Sequence, residues 1–331
     1  MVKWNKLFAV LILVSLLLAG CGGGDPVPDG DQPFRIAVVT PSAINDLAFS
    51  QSIYDAMVKI QQAMGGSSEM EFVISDSMFV VDDAGAAIRD YASQGYDLII
   101  AHGSQYGGVL QEIAPDFPNV SFAWGTTVDT FGLPNIFAYE ARSEQGGYVN
   151  GVIAGALTES NIVGVVGPIE TGDAKLYVDG FVAGVRAQNP NAQVNVNWIG
   201  SFSDVALASE AAQTHINAGA DVMAGTAQMV VGAIGVAKDN GVLWIGTQAS
   251  QTSLAPDIVV ANQIYDWSGI LLEIIELVQA GTLGGRFFEI TLANDGLYLE
   301  YNEAFDLPAE VRQLADQTVQ DIISGAIVVE P

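Results

Sequence analysis

Apolar and polar positions alternate in a regular order from residue 34 onward. Short apolar runs such as FRIAVVT (34–40) predict buried strands, whereas apolar residues at helical spacing, as in Ile53, Met57 and Ile60, predict amphipathic helices. Strands and helices in alternation indicate a parallel sheet with helices on both faces. The predicted strands of this first set are 34–40, 71–75, 97–103, 120–125 and 135–140, with helices at 48–64, 82–94 and 108–114.

The alternation repeats in a second set of similar size, so we expect an α/β protein with two doubly wound parallel-sheet lobes. A strongly apolar helix is predicted at 268–280, but the second set has no remaining element for it to pack against. We therefore expect the chain to return to the first lobe at this point. We therefore expect an N-terminal lobe of residues 34–138 plus 264–285, a C-terminal lobe of residues 139–263 plus 286–331, and a hinge of three crossovers. The second set has helices at 143–158, 174–188, 204–218 and 229–239, strands at 161–167, 193–200, 220–225, 242–246 and 257–263, and a last helix near 308–323.

The N-terminal segment carries a different pattern. Two lysines precede an apolar run that is shorter than the roughly 20 residues of a membrane-spanning helix, which is typical of an export signal. We expect this signal to span residues 1–20, and its end, LAGC (18–21), resembles a bacterial lipobox. Cys21 is the only cysteine, so we expect its thiol to be acylated and to anchor the protein. Residues 21–33, rich in Gly, Pro and Asp, are expected to form a flexible tether.

The net charge excludes several partners. The chain has 38 acidic and 11 basic residues and a formal charge of −27. Such a surface repels DNA, RNA and anionic lipid, since phosphate binding needs clustered Lys and Arg. The acids are scattered, which favours a solvated exterior suited to a salty medium over an acidic surface that binds cations. No D-x-D-x-D-G loop or histidine pair occurs, so we predict no metal and no cofactor.

The sequence also lacks the common catalytic motifs. Residues 103–107 put Gln where a G-x-S-x-G elbow needs Ser, and neither a P-loop nor H-E-x-x-H is present. His102 lies at the carboxyl end of the third predicted strand, where ligand loops form, while His215 is expected on the surface of a helix. These observations favour a binding protein over an enzyme.

Four loops at the carboxyl ends of predicted strands are rich in hydrogen-bonding and aromatic groups, and such loops form the ligand crevice of α/β sheets. None contains Lys or Arg, the usual partners of a carboxylate or phosphate ligand. A neutral ligand with a flat face and amide-like edges fits better. The candidate contacts are Asn45, Asp46, Phe49, Gln105 and Tyr106 in the first lobe, Gln228 and Gln248 in the second, and Trp267 near the hinge.

Three of these candidates have an alternative role within the fold. Asp46 can cap the following helix, and Phe49 and Trp267 can be core residues. The residue pattern alone leaves both roles open for each of them.

Four segments resemble the basic membrane protein family of bacterial lipoproteins. Members of this family are solute-binding proteins of ABC importers with the type I periplasmic-binding-protein fold, and the best studied bind purine nucleosides. The resemblance spans most of residues 34–282 and implies the same fold here. The segments are INDLAFSQS (44–52), YEARSEQGGYVNGVIAG (139–155), IVGVVGPIETGDAKLYVDGFVAGVRAQNP (162–190) and WIGSFSDVALASEAAQTHINAGADVM (198–223).

The resemblance also implies roles for single residues. Phe49 would stack on the base, and Asp46 would hydrogen-bond it or cap the helix. In nucleoside-binding members a Gly-x-Asp carboxylate grips the ribose, whereas Gln248 stands at that place here. A lysine of the family near the crossover is absent, and one branch, some of whose members bind a free nucleobase, has a Trp there, as Trp267 is here. The expected ligand is therefore either a nucleoside or a purine base or another flat neutral heterocycle.

Together these features predict a lipid-anchored, extracytoplasmic, monomeric solute-binding protein that closes its lobes on a small ligand and docks on an ABC permease. It would contact the membrane only through its anchor and would bind no nucleic acid. Two alternatives stay open: a receptor that passes the closed state to a membrane signalling protein, and a nucleoside hydrolase.

Overall fold

The computed structural model describes residues 32–330. The expected signal sequence, the Cys21 anchor and most of the tether lie outside the described residues. Between residues 32 and 330, no helix combines the length and the apolar character needed to cross a membrane.

The first sheet is parallel throughout and has the strand order β11-β5-β4-β3-β1-β2. Its central strands are completely buried, as expected of runs such as LIIAH and SFAWG that are apolar on both faces. The strands are β1 (Phe34–Val39), β2 (Met70–Ser75), β3 (Leu98–His102), β4 (Ser121–Gly125), β5 (Ile136–Ala141) and β11 (Phe287–Ile290).

The second sheet repeats this arrangement with the order β12-β10-β9-β8-β6-β7, and only the β10–β12 pair is antiparallel. The two lobes and their topology confirm the predicted α/β architecture. The strands are β6 (Ile162–Gly167), β7 (Gln193–Trp198), β8 (Val222–Gly225), β9 (Leu243–Gln248), β10 (Val259–Tyr265) and β12 (Leu297–Tyr301).

Helices connect the strands and cover both sheets. Their buried faces carry the apolar residues that the helical spacing indicated, such as Ile53, Met57 and Ile60 of α1. The helices are α1 (Phe49–Ala63), α2 (Val81–Ser93), α3 (Gly107–Ile113), α4 (Ser143–Leu157), α5 (Gly172–Gln188), α6 (Val205–Asn217), α7 (Val230–Asn240), α8 (Ser268–Gln279) and α9 (Ala309–Ile323).

The chain crosses between the sheets three times, after β5, after β10 and after β11. Helix α8 packs on α1 of the first lobe, as expected from its missing partner in the second set. The expected boundary at residue 286 is too early, because β11 hydrogen-bonds to β5 and so extends the first sheet. Its sequence FFEI does not by itself indicate which of two sheet edges it joins.

Helices α4 and α5 lie unusually close together in the second lobe. A Cβ atom on Gly151 would stand 2.1 Å from the Phe181 carbonyl oxygen, and one on Gly184 would stand 2.0 Å from that of Tyr148. Only glycine permits this contact between two helix backbones. The contact fixes the position of α5, whose first turn faces the space between the lobes.

The expectation that His215 lies on a helix surface is wrong. Only 2% of the residue is exposed, and its Nε2 lies 3.1 Å from the Val165 carbonyl oxygen. Gly164 on β6 makes room for the imidazole, since a Cβ there would come within 2.7 Å of His215 Cβ. This histidine therefore has a packing role inside the second lobe.

Candidate functional site

A cleft lies between the lobes at the carboxyl ends of the parallel strands. The cavity that it encloses in this conformation is about 30 Å³, well below the roughly 300–1,000 Å³ of small-molecule pockets, so the lobes must separate to admit a ligand. Loops after β1, β2, β3 and β4 contribute Pro41, Phe79, Gln105 and Thr126, and those after β6, β7, β8 and β9 contribute Asp173, Phe202, Gln228 and Gln248.

Phe49, the first residue of α1, forms an aromatic surface on the first-lobe side of the cleft. The residue is 8% exposed, and its ring stacks on the His102 imidazole, with ring centroids 3.9 Å apart and an interplanar angle of 14°. The two roles considered for Phe49 are thus combined: one ring face packs inside the lobe, and the residue also lines the cleft. The stacked His102 imidazole holds the Phe49 ring in one orientation.

His102 is neutral at physiological pH, because burial lowers its pKa to about 3. Its Nδ1 lies 2.7 Å from the Tyr139 hydroxyl and its Nε2 lies 3.4 Å from the Phe49 carbonyl oxygen. A neutral imidazole satisfies both contacts when Nε2–H donates to the carbonyl and Nδ1 accepts from the hydroxyl. The imidazole therefore supports Phe49 without placing a cation beneath the cleft.

The other two candidates from the first loop do not line the cleft. Asp46 accepts hydrogen bonds from the N–H groups of Ser50 and Gln51, both at 3.1 Å, and so caps the first turn of α1. Asn45 is exposed to solvent. Asp46 therefore contributes to the cleft indirectly, by stabilising the first turn of the helix that carries Phe49.

Gln105 and Tyr106, which follow β3, point in opposite directions. Gln105 lines the cleft. Tyr106 is fully buried in the first-lobe core, where its hydroxyl donates to the Met78 carbonyl oxygen at 2.8 Å. Burial raises its pKa. The structure therefore does not bring Tyr106 to the cleft, because the short turn 104–106 sends only one of two successive side chains outward.

Trp267, at the second crossover, lies beneath the cleft without lining it. The residue is fully buried, its Nε1–H donates to Ser52 Oγ at 2.8 Å, and its ring meets the His102 ring edge-to-face at 5.4 Å between centroids. These contacts link the hinge to α1 and to the His102 imidazole that packs against Phe49. Trp267 is therefore a packing residue of the aromatic cluster.

Gln248 and Gln228 line the second-lobe side of the cleft. Gln248 Oε1 accepts from the Ala227 N–H and its Nε2 donates to Asp173 Oδ2, both at 3.2 Å. Gln248 and Ala227 have φ values of 75° and 72°, in the left-handed region that costs a non-glycine residue about 1–3 kcal/mol. The Nε2 group of Gln228 is buried and has no hydrogen-bond partner among residues 32–330.

Asp173, in the first turn of α5, is a cleft residue that the sequence analysis missed. It is 7% exposed, and its carboxylate accepts hydrogen bonds at 3.2 Å from Thr126, Gln248 and Tyr265. The Thr126 bond crosses from the first lobe to the second. Burial raises the pKa of Asp173, and the three donors oppose that rise.

Glu140, on β5, is a second buried carboxyl near the cleft. Burial raises its pKa well above the ordinary value, and the nearby Asp173 raises it further. Its side chain accepts a hydrogen bond from the adjacent Ala141 N–H at 2.9 Å and no other from residues 32–330. The two carboxyls are thus close enough to interact, and in the described range 32–330 neither forms an ion pair with a cation.

A sequence signal for the missed residues did exist. Phe79, Thr126, Asp173 and Phe202 follow β2, β4, β6 and β7, so applying the strand-end rule to every strand rather than to four would have found their loops. Which side chain of each loop faces the cleft depends on turn geometry. That choice could not be predicted from the pattern.

The two hinged α/β lobes and the polar-aromatic cleft between them define a ligand-binding protein of the periplasmic-binding-protein class. The model of the Bmp family, described as ABC transporter substrate-binding protein PnrA-like, matches residues 34–330, and the chain belongs to this family.

Three similar proteins support this assignment. A purine-binding protein of Brucella abortus is 25% identical over 297 residues, which cover 90% of this chain and 83% of that protein. The transcriptional activator protein med of Bacillus subtilis is 26% identical over 278 residues, covering 83% of this chain and 84% of the relative. The solved structure of an ABC transporter solute-binding protein from Conexibacter woesei superimposes with a TM-score of 0.73 at 25% identity, covering 89% of this chain and 98% of that one.

Proposed function

We propose that this protein is the extracytoplasmic substrate-binding component of an ABC importer for a purine base or a similar flat heterocycle. In this proposal Cys21 carries the lipid anchor, the protein is a monomer, and a ligand-closed form docks on the permease. The observation that carries the proposal is the composition of the cleft: aromatic rings and amides line it from both lobes, and no Lys or Arg is among the described residues that line it.

The Phe49 ring is the main reason for a planar ligand. A ring held flat by His102 offers a stacking surface, and stacking of a base on an aromatic side chain is worth about 1–3 kcal/mol. The name of the Brucella relative, a purine-binding protein, agrees with a ligand of this shape. Phe79 and Phe202 add further aromatic surface at the cleft.

Gln248 favours a free base over a nucleoside. Both polar atoms of its amide are engaged, one with Ala227 and one with Asp173. A ribose would need hydroxyl partners at this position, and Gln248 could supply them only by giving up those bonds. We therefore place the nucleobase ahead of the nucleoside in the proposal.

A thermal-shift screen of the full-length chain with bases, nucleosides, sugars and amino acids tests the proposal. A ligand present at 100 times its dissociation constant adds about 2.7 kcal/mol of stability, which raises the melting temperature measurably. We expect bases to give the largest shift. Stabilisation by sugars or amino acids alone would contradict the proposed ligand class, and release of free base from added nucleosides would indicate a hydrolase.

A role in signalling is the second candidate, because one relative is named a transcriptional activator. The same closed form would then be read by a membrane signalling protein rather than by a permease. Uptake of radiolabelled base by cells with and without the gene separates the two, since only the importer component changes the uptake rate.

A further inference from the structure

The carboxylate of Asp173 is an acceptor placed in a cleft that offers it no cation. It lines the cleft with only 7% of the residue exposed. Its three partners, Thr126, Gln248 and Tyr265, are all neutral donors at 3.2 Å. Among residues 32–330, no Lys or Arg lies within ion-pair distance of it.

A buried carboxylate without a cation is unfavourable unless hydrogen bonds compensate it. A ligand N–H group directed at this carboxylate would form a charge-assisted hydrogen bond, which is roughly twice as strong as one between neutral groups. A ligand carbonyl in that place would meet a second acceptor and be repelled.

Gln228 supplies the complementary group. The residue lines the same cleft, and its buried Nε2 donor has no partner in the part of the chain that the structure describes. A carboxylate and a free amide donor together match a ligand edge that has an amino group beside a ring nitrogen, since the amino group donates and the ring nitrogen accepts.

We propose that Asp173 is a specificity-determining residue that selects heterocycles bearing an amino group over their oxo counterparts. The proposal rests on the proposed function, because it assigns the ligand class of the same cleft. Asp173 reads the amino donor, Gln228 reads the adjacent ring nitrogen, and Phe49 holds the ring without distinguishing the two kinds of ligand.

Isothermal titration calorimetry on the full-length chain tests this selection with two matched pairs, adenine against hypoxanthine and cytosine against uracil. In each pair an amino group is replaced by an oxo group, and the adjacent ring nitrogen changes from an acceptor to an N–H donor. We expect the amino member of at least one pair to bind at least tenfold more tightly, and Asp173→Asn to reduce that ratio about tenfold, because an amide can donate as well as accept. Asp179→Asn, on the exposed side of the same helix, is the control and should leave the ratio unchanged.

The outcomes separate the two proposals. Equal affinity for the members of both pairs in the wild-type protein would overturn the selection by Asp173 while leaving a heterocycle-binding function in place. A ratio that survives Asp173→Asn would overturn it as well. Absence of binding by all four heterocycles would contradict both proposals. The wild-type comparison remains decisive if Asp173→Asn does not fold, which its melting curve reports.

Discussion

The two sides of the cleft differ in the groups that dominate them, although they come from lobes of the same topology and each also carries one group of the other kind, Gln105 on the first lobe and Phe202 on the second. The first lobe presents the Phe49 ring on a support of buried aromatic groups. The second lobe presents Gln228 and the hydrogen-bonded pair of Asp173 and Gln248, with left-handed backbone at Ala227 and Gln248. A flat surface accepts many rings, whereas a fixed set of donors and acceptors distinguishes between them. The comparison suggests that affinity comes mainly from one lobe and selectivity mainly from the other.

Phe49→Ala should have the largest effect. It removes the stacking surface, so we expect affinity for every heterocycle that binds to fall about 10- to 100-fold, in line with about 1–3 kcal/mol per stacked base. Ratios between ligands should change little. Calorimetry on the variant measures both quantities, with Phe287→Ala, an exposed ring on β11, as the control. A loss of selectivity with affinity retained would reverse the roles assigned to the lobes.

The two buried carboxyl groups, Asp173 and Glu140, differ in their hydrogen bonding and therefore in their effect on stability. Within the described range, Asp173 has three side-chain donors from other residues, whereas Glu140 has only the adjacent backbone N–H. Because the folded-state pKa of Glu140 is raised, the folded protein binds more protons than the unfolded chain above the ordinary carboxyl range, and stability falls as pH rises through that window.

Glu140→Gln should therefore stabilise the protein at pH 8 by about 1–3 kcal/mol, the penalty of a buried polar group without adequate partners. The gain should shrink as the pH falls toward 4, where the wild-type carboxyl is protonated in both states. Melting temperatures of both proteins from pH 4 to pH 8 check this. A constant difference across the range would show that charge is not its cause.

Thr126→Val removes the one hydrogen bond described between Asp173 and the first lobe. We expect a shift of the ligand-free protein toward the open form and a loss of about two- to tenfold in affinity, the range of a single hydrogen bond of about 0.5–1.5 kcal/mol. Small-angle X-ray scattering should show a larger radius of gyration without ligand. The control Thr130→Val lies in the same loop and should change neither value.

Asn45→Ala should have the smallest effect. The residue belongs to the loop that carries Phe49 but is exposed and does not line the cleft. Calorimetry should find a change in affinity of less than about twofold, within the range of surface substitutions. A large loss would mean that the loop moves over the ligand during closure.

The sequence predicts the fold well because strands and helices here follow the hydrophobic pattern closely. The ends of α4, α8 and α9 fall within about a residue of the helices expected from periodicity. Strand β11 is the exception, because pairing to a distant sheet edge depends on how the third crossover runs. Local pattern cannot encode that choice.

The candidate site was predictable by loop but less so by residue. Phe49, Gln105, Gln228 and Gln248 line the cleft, whereas Asn45, Asp46, Tyr106 and Trp267 do not. Asp46 and Trp267 instead hold α1 in place through first-turn N–H groups and through Ser52. The composition of a loop indicates that it faces a ligand. The direction of each side chain depends on turn geometry and packing, and these cannot be predicted from the residue type alone.

A crystal structure of the full-length chain with adenine tests most directly whether the first lobe supplies the stacking surface and the second lobe the selective hydrogen bonds. We expect the ring to lie parallel to Phe49 at stacking distance, with its amino group within hydrogen-bond reach of Asp173 and a ring nitrogen facing Gln228. Adenine bound away from Phe49, or with its amino group turned toward solvent and Asp173 left unengaged, would contradict this description of the cleft.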